Sequence, residues 1–128
     1  KDVLSKKEKQ IIMKSAREKG FEGEQLAAKF LKANGYRILE RNYRTKSGEI
    51  DIIARKNRSI VFIEVKTRSN DSFGSPVEAV DRRKLAKLEI VANQYIQKKE
   101  IEDAAFRFEV ISITKINNAW QCEIIPVD

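Results

Sequence analysis

Over residues 15–34 the apolar positions recur at three- and four-residue spacing, with Phe21, Ala27, Ala28, Phe30 and Leu31 on one stripe, the period of an amphipathic helix. Asn34-Gly35 supplies its C-terminal stop. The period then shortens. Residues 36–44 read as a first strand, followed by the turn Thr45-Lys46-Ser47-Gly48. Two β-branched runs, residues 48–53 and 60–66, flank the polar segment Arg55-Lys56-Asn57-Arg58-Ser59, the pattern of a hairpin. A polar loop over residues 69–75 leads into Ser75-Pro76-Val77-Glu78, which has the capping-box form with proline at the first helical position. A second helical stripe comes next, made of Val80, Leu85, Leu88, Val91, Ala92, Tyr95 and Ile96, with Asp81 as an alternative N-cap. Residues 106–114 and 120–127 are the last strands, joined at Asn117-Asn118. The order is α-β-β-β-α-β-β. The helix between the third and fourth strands is long enough for a crossover, so those strands are expected to run parallel. The expected fold is α/β, a mixed sheet flanked by helices. A basic helical extension over residues 1–19 precedes one domain over residues 20–128, without internal repeats.

The hairpin carries acids where buried strands should carry none. Side chains alternate across a strand, so Ile60, Phe62, Glu64 and Lys66 share one face, apolar at its start and charged at its end. A turn centred on Asn57-Arg58 sets Asp51 opposite Glu64 and Glu49 opposite Lys66. Directly opposed Cβ atoms lie roughly 5 Å apart, so the two carboxylates would repel unless a cation sat between them. The bland alternative is an ion-pair ladder at the sheet edge, with Lys66 on Glu49 and Glu64 solvated. Asp51 counts against it, because Glu64 then faces an acid. Glu24 counts against it too, since it stands in register with Ala27, Ala28 and Leu31, flanked by Gly20 and Gly23, which permit close approach.

Composition narrows the chemistry. A chain of 128 residues is one domain with room for a core, and no apolar run approaches the ~20 residues of a membrane span. No secretory signal is visible, which points to the cytoplasm, although a start at Lys1 leaves the natural N-terminus open. Cys122 is the single cysteine, so an internal disulfide is excluded. With no histidine and one cysteine, zinc and other N/S-bound metals are disfavoured, and a metal here is hard and oxygen-bound, Mg²⁺ or Mn²⁺. The absence of histidine also removes the usual general base and the Ser/Cys–His nucleophile pairs. The net charge of +7 is uneven: residues 1–20 hold seven Lys/Arg against three Asp/Glu, the other 108 hold 19 against 16. The balance permits a nucleic-acid partner without requiring one.

The series Gly23-Glu24, Gly35-Tyr36, Arg41-Asn42, Gly48-Glu49-Ile50-Asp51, Phe62-Ile63-Glu64-Val65-Lys66-Thr67-Arg68, Phe73-Gly74-Ser75-Pro76 and Lys84 closely resembles the bacterial YraN family. That family is similar to the PD-(D/E)xK nucleases, near the archaeal Holliday junction resolvases. The match covers roughly residues 20–115, with the motifs in order and at matching spacing. The resemblance implies a restriction-endonuclease-like fold with Asp51, Glu64 and Lys66 as the D…ExK core and Glu24 as the helix acid. Two positions depart from the pattern: Ile50 rather than proline precedes Asp51, and Glu109 stands where the family usually has Asp.

The chemistry suits that reading. Phosphodiester hydrolysis needs a nucleophilic water, charge neutralisation at phosphorus and a stabilised leaving oxygen, which carboxylate-bound Mg²⁺ supplies. Mg²⁺ takes one or two protein carboxylates plus waters and phosphate oxygens, a role for Asp51 and Glu64 with the Val65 carbonyl as a further ligand. Lys66 would orient the attacking water, its ammonium held protonated by the neighbouring acids. Arg68, Ser69, Phe73 and Lys84, at the end of the ExK strand and in the elements after it, are the expected nucleic-acid contacts. The leading expectation is a metal-dependent endonuclease or junction-binding protein acting on DNA, branched DNA included, and working as a homodimer if it behaves as its resolvase relatives do. The alternative is a catalytically silent nucleic-acid-binding or scaffold protein that keeps the nuclease fold.

Overall fold

Five strands form one sheet in the order β1-β2-β3-β4-β5: β1 (Arg37–Thr45), β2 (Gly48–Lys56), β3 (Ser59–Ser69), β4 (Ala105–Ile116) and β5 (Ala119–Val127). Helix α1 (Ala16–Ala33) precedes β1, and helix α2 (Arg82–Lys98) connects β3 to β4. The computed structural model describes residues 16–69 and 82–127, with side chains of residues 16–22, 68 and 69 excepted. The extension over residues 1–15, Phe73, the capping box Ser75-Pro76-Val77-Glu78, Val80 and Asp81 lie outside the described residues. The boundary expected at residue 19/20 falls within α1.

All neighbouring strands are antiparallel except β3 and β4, which run parallel from Ser59↔Ala105 to Ser69↔Lys115. The α2 crossover makes this possible. The result is the expected mixed sheet with a helix on each face. On one face α1 buries Leu26, Ala27 and Leu31 against Ile52, Ala54, Val61, Ile63, Ile111 and Ile113. On the other, α2 buries Leu88, Val91, Ala92 and Tyr95 against Ile53, Ile60, Phe62 and Val110. The continuous Ile-Val-Phe-Ile run of β3 reflects this, because a central strand has no solvent face.

Both helices end in the same way. At α1, Gly35 (φ 88°) donates its N–H to the Lys32 carbonyl, and Tyr36 donates to Leu31. At α2, Glu100 (φ 53°) donates to Gln97, and Ile101 donates to Ile96. These are Schellman ends, which need a left-handed residue just past the helix; glycine meets the need at one and a glutamate at the other.

The sheet is irregular at two places: the β1–β2 register shifts between Ile38 and Glu40, and a change of face farther along β1 and β2 matters more. Alternation should put Ile50 on the face of Ile52, yet Ile52 packs under α1 while Ile50 packs under α2 with Ile53. The neighbouring strand makes the same switch: Arg41, opposite Ile52, reaches α1, whereas Tyr43, opposite Ile50, stacks edge-on against Tyr95 of α2 at 5.1 Å. Between them, Asn42 has φ 54°, outside the strand region. Both strands therefore change face at the level of Asn42 and Asp51.

Candidate functional site

β2 and β3 keep the expected register, Lys56↔Ser59 through Ile52↔Ile63, and the paired positions end there. Beyond Ile52 the carboxylate of Asp51 accepts the Val65 backbone N–H at 2.8 Å. A side chain thus meets a main-chain donor where the ladder stops, which satisfies that N–H and fixes Asp51 at the opening of the strands.

Glu64 lies at the same level on β3, its side chain 12% exposed, and it is not the solvated acid of a ladder. The Lys84 Nζ of α2 donates to Glu64 Oε2 at 2.6 Å, and Lys66 Nζ stands 3.5 Å from the same oxygen. Glu49, expected opposite Lys66, is instead paired with Arg44 across the β1–β2 hairpin, Nε to Oε1 at 3.2 Å. The ladder cannot reach Lys66 because β2 has left β3 three residues before Glu49. Asp51 itself has its carboxyl pushed up to about 7, by burial first and the Glu64 charge second, with smaller contributions from Glu24 and Glu49; the Val65 N–H acts the other way.

Glu24 comes from α1, on the other face. Its carboxyl is raised by burial and, more weakly, by Glu49 and Glu64, while a hydrogen bond from Asn42 and the charge of Arg41 oppose the rise. Arg41 also donates to Gln25 Oε1 at 3.0 Å. Glu24 therefore senses the charges of the site without completing a three-acid cage: among the described residues no three His, Cys, Asp or Glu side chains form a metal-holding group. Gly23 explains how α1 comes so near, because a Cβ there would overlap Thr67 Oγ1.

The lysines are driven apart. Lys66 is lowered, by burial first and then by the neighbouring Lys84, against the pull of Glu64. Lys84 is raised: burial works against its charge, but Glu64, Lys66 and Asp51 together outweigh it. Adjacent groups whose environments separate their proton affinities are an arrangement suited to acid–base work.

Of the residues singled out from the sequence, Asp51, Glu64, Lys66 and Lys84 stand at one end of the sheet, with Glu24 approaching from α1 and Val65 bound through its N–H to Asp51. Lys84 was expected against phosphate and is engaged by an acid instead. The side chains of Arg68 and Ser69, and all of Phe73, lie outside the described residues. Glu109, left without a role, is buried in a separate network: it accepts from Tyr36 Oη at 2.8 Å and from Arg107 Nε at 2.9 Å. Arg41 and Asn42 received no role from the sequence; the available signal was an asparagine, tolerant of left-handed backbone, inside a strand.

The five-stranded mixed sheet with its two helices is an α/β arrangement, consistent with a restriction-endonuclease-like fold. The chain belongs to the uncharacterised protein family UPF0102, whose profile matches residues 23–113, and this is the YraN group that its motifs resemble. A UPF0102 protein of Fusobacterium nucleatum is 51% identical over 111 residues, covering 87% of this chain and 93% of that protein. One from Alkaliphilus oremlandii is 50% identical over 101 residues, 77% of this chain and 86% of the other. Among solved structures, Pyrococcus furiosus SfsA in complex with Ca²⁺ is similar at a TM-score of 0.36 and 13% identity. The similarity covers 89% of this chain and 65% of that one, a likeness too distant to carry a functional inference. Among the described residues, no helix is long and apolar enough to cross a membrane.

Proposed function

We propose that the protein is a divalent-metal-dependent nuclease that hydrolyses phosphodiester bonds in DNA. The observation that carries this reading is the acid pair at the strand opening, with Asp51 pinned by the Val65 N–H and electrostatically linked to Glu64, and Lys66 beside Glu64. The donor set fits Mg²⁺ or Mn²⁺: it is all oxygen, two carboxylates suffice for Mg²⁺ when waters and phosphate oxygens complete the shell, and the raised Asp51 marks a place where a second negative charge is costly without a cation. Asp51 and Glu64 would hold the ion, with the Val65 carbonyl as a further donor. When bound, it would supply Lewis acidity at the phosphate and an acidified water.

The chain's own residues do the rest. Lys66, partly desolvated beside Glu64 and Lys84, orients the attacking water. Lys84, held charged, offers positive charge to the phosphate oxygens once its carboxylate partner is otherwise engaged. Glu24 adds a further acidic charge on the α1 side, felt by Asp51. Arg68 and the segment after β3 meet the backbone of the nucleic acid. A second reading, a nuclease-like protein that binds nucleic acid without cutting, draws on the Lys84–Glu64 pair, which already neutralises one of the two acids. The test is cleavage of linear, flap and four-way branched DNA with Mg²⁺ and with Mn²⁺. Cleavage abolished in Asp51→Asn and Lys66→Ala supports the nuclease; binding without cleavage of every substrate supports the silent protein.

A further inference from the structure

A single carboxylate oxygen carries two ammoniums. Glu64 Oε2 accepts from Lys84 Nζ at 2.6 Å and has Lys66 Nζ 3.5 Å away. The two lysines arrive by different routes. Lys66 is two residues from Glu64 on β3, on the same face, so strand geometry alone puts it there. Lys84 is delivered by α2, whose Leu88 and Val91 pack into the core on that face. It makes the closer contact although its side chain is the more exposed, 37% against 28%. Glu64 itself is 12% exposed, and a carboxylate so far removed from water needs positive partners. A metal ion on Glu64 would change that balance. Mg²⁺ sits about 2.0–2.1 Å from a carboxylate oxygen, closer than Lys84 stands, and carries twice its charge. An ammonium left in place would then face a dication a few ångströms away. Lys84 is the one able to leave, because its compact charge rides on a flexible four-carbon stem that already reaches solvent.

We propose that Lys84 is the internal cation of the metal-free site: its ammonium holds the place on Glu64 that a divalent ion takes, and metal binding exchanges it outward, towards the phosphate backbone of the nucleic acid. The exchange rests on the proposed function, since it requires Asp51 and Glu64 to hold the ion. It makes Lys84 a determinant of metal affinity, opposing the ion by the strength of its own pair with Glu64. It also ties any phosphate contact of Lys84 to the presence of the metal. A purely structural ion pair between α2 and β3 would stay closed when metal is added.

Two measurements separate these. Mn²⁺ is titrated calorimetrically into the wild type, Lys84→Met and Lys87→Met. Lys84→Met keeps an apolar stem and removes the charge; Lys87, exposed three residues further along α2, controls for the loss of one positive charge from the helix. In the wild type, the Lys84 Cε signal is followed by NMR as Mg²⁺ is added. The expected result is Mn²⁺ binding about tenfold tighter in Lys84→Met, the worth of one charge-assisted hydrogen bond, and little altered in Lys87→Met. The Lys84 Cε signal should move with Mg²⁺ towards the position of an exposed lysine. Unaltered affinity in Lys84→Met, an equal gain in Lys87→Met, or a Lys84 signal that stays in place at saturating Mg²⁺ overturns the proposal. If Lys84→Met fails to fold, the wild-type NMR titration decides by itself. If neither the wild type nor Lys84→Met binds Mn²⁺, the metal-site reading fails and the exchange falls with it; equal binding by the two strikes the exchange alone.

Discussion

Asp51 and Glu64 approach each other in water-poor surroundings, and stability should record the cost. The folded Asp51 carboxyl titrates at about 7 against 3.8 for the ordinary group. Between those values the folded state holds a proton that the unfolded chain has lost, so stability falls as pH rises through 7. The contribution is fully present below about pH 4 and gone above pH 8, a difference of order 4 kcal/mol. In an Asp51→Asn variant the side-chain amide would keep an acceptor for the Val65 N–H without the charge. The variant should therefore gain about 1–4 kcal/mol at pH 8 in EDTA, and little or nothing at pH 4. Urea unfolding at the two pH values checks it; a variant less stable than wild type at pH 8 would mark Asp51 as one half of an ordinary structural ion pair. Gly23 gives a second residue-scale expectation. Gly23→Ala should cost about 1–3 kcal/mol by driving a methyl into Thr67, and the added change Thr67→Ala should restore much of it, a coupling that a double-mutant cycle reads directly.

Among the elements, the turn chemistry was legible in the chain itself. Asn57-Arg58 and Asn117-Asn118 each announced a tight hairpin, and the register counted from the first is the one observed down to Ile52↔Ile63. What lay hidden was where pairing stops: Ile-Asp-Ile-Ile over residues 50–53 reads as one buried strand whether or not it changes face halfway, because both faces of this sheet are apolar. The pairing of Lys84 with Glu64 was equally hidden. Lys84 is 20 residues from Glu64, and only the crossover of α2 over the sheet brings them to 2.6 Å. Its engagement predicts a conditional effect on DNA binding. In EDTA Lys84 is committed to Glu64, so Lys84→Ala should leave the salt slope unchanged; with Mg²⁺ present the same change should lower the slope by about one. Arg68→Ala should lower it in both conditions. Fluorescence anisotropy over a salt series reads both variants with and without the metal.

At the scale of the molecule the site exists because elements from both sheet faces converge where the β2–β3 ladder breaks off. α1 brings Glu24 close through Gly23, α2 brings Lys84, and β2 parts from β3 to free Asp51. The Tyr36–Glu109–Arg107 network ties the start of β1 to β4 and so braces the α1 side of this frame; Glu109→Ala should cost about 1–3 kcal/mol in urea unfolding, since it leaves the buried Tyr36 hydroxyl without this acceptor while the half-exposed Arg107 turns to water. The overall topology could be read from the sequence because hydrophobic period and crossover length each admitted few arrangements. The geometry of the charged cluster could not, because Lys84, Glu64, Asp51 and Glu24 come from four separate elements and only Lys66–Glu64 is a local pair. The central claim is that Asp51 and Glu64 form a divalent-cation site, and calorimetric titration of Mn²⁺ into the metal-free wild type and Asp51→Asn at pH 8 tests it most directly. The account predicts saturable binding to the wild type that is lost in the variant. Equal binding by both proteins, or none by the wild type, would contradict it.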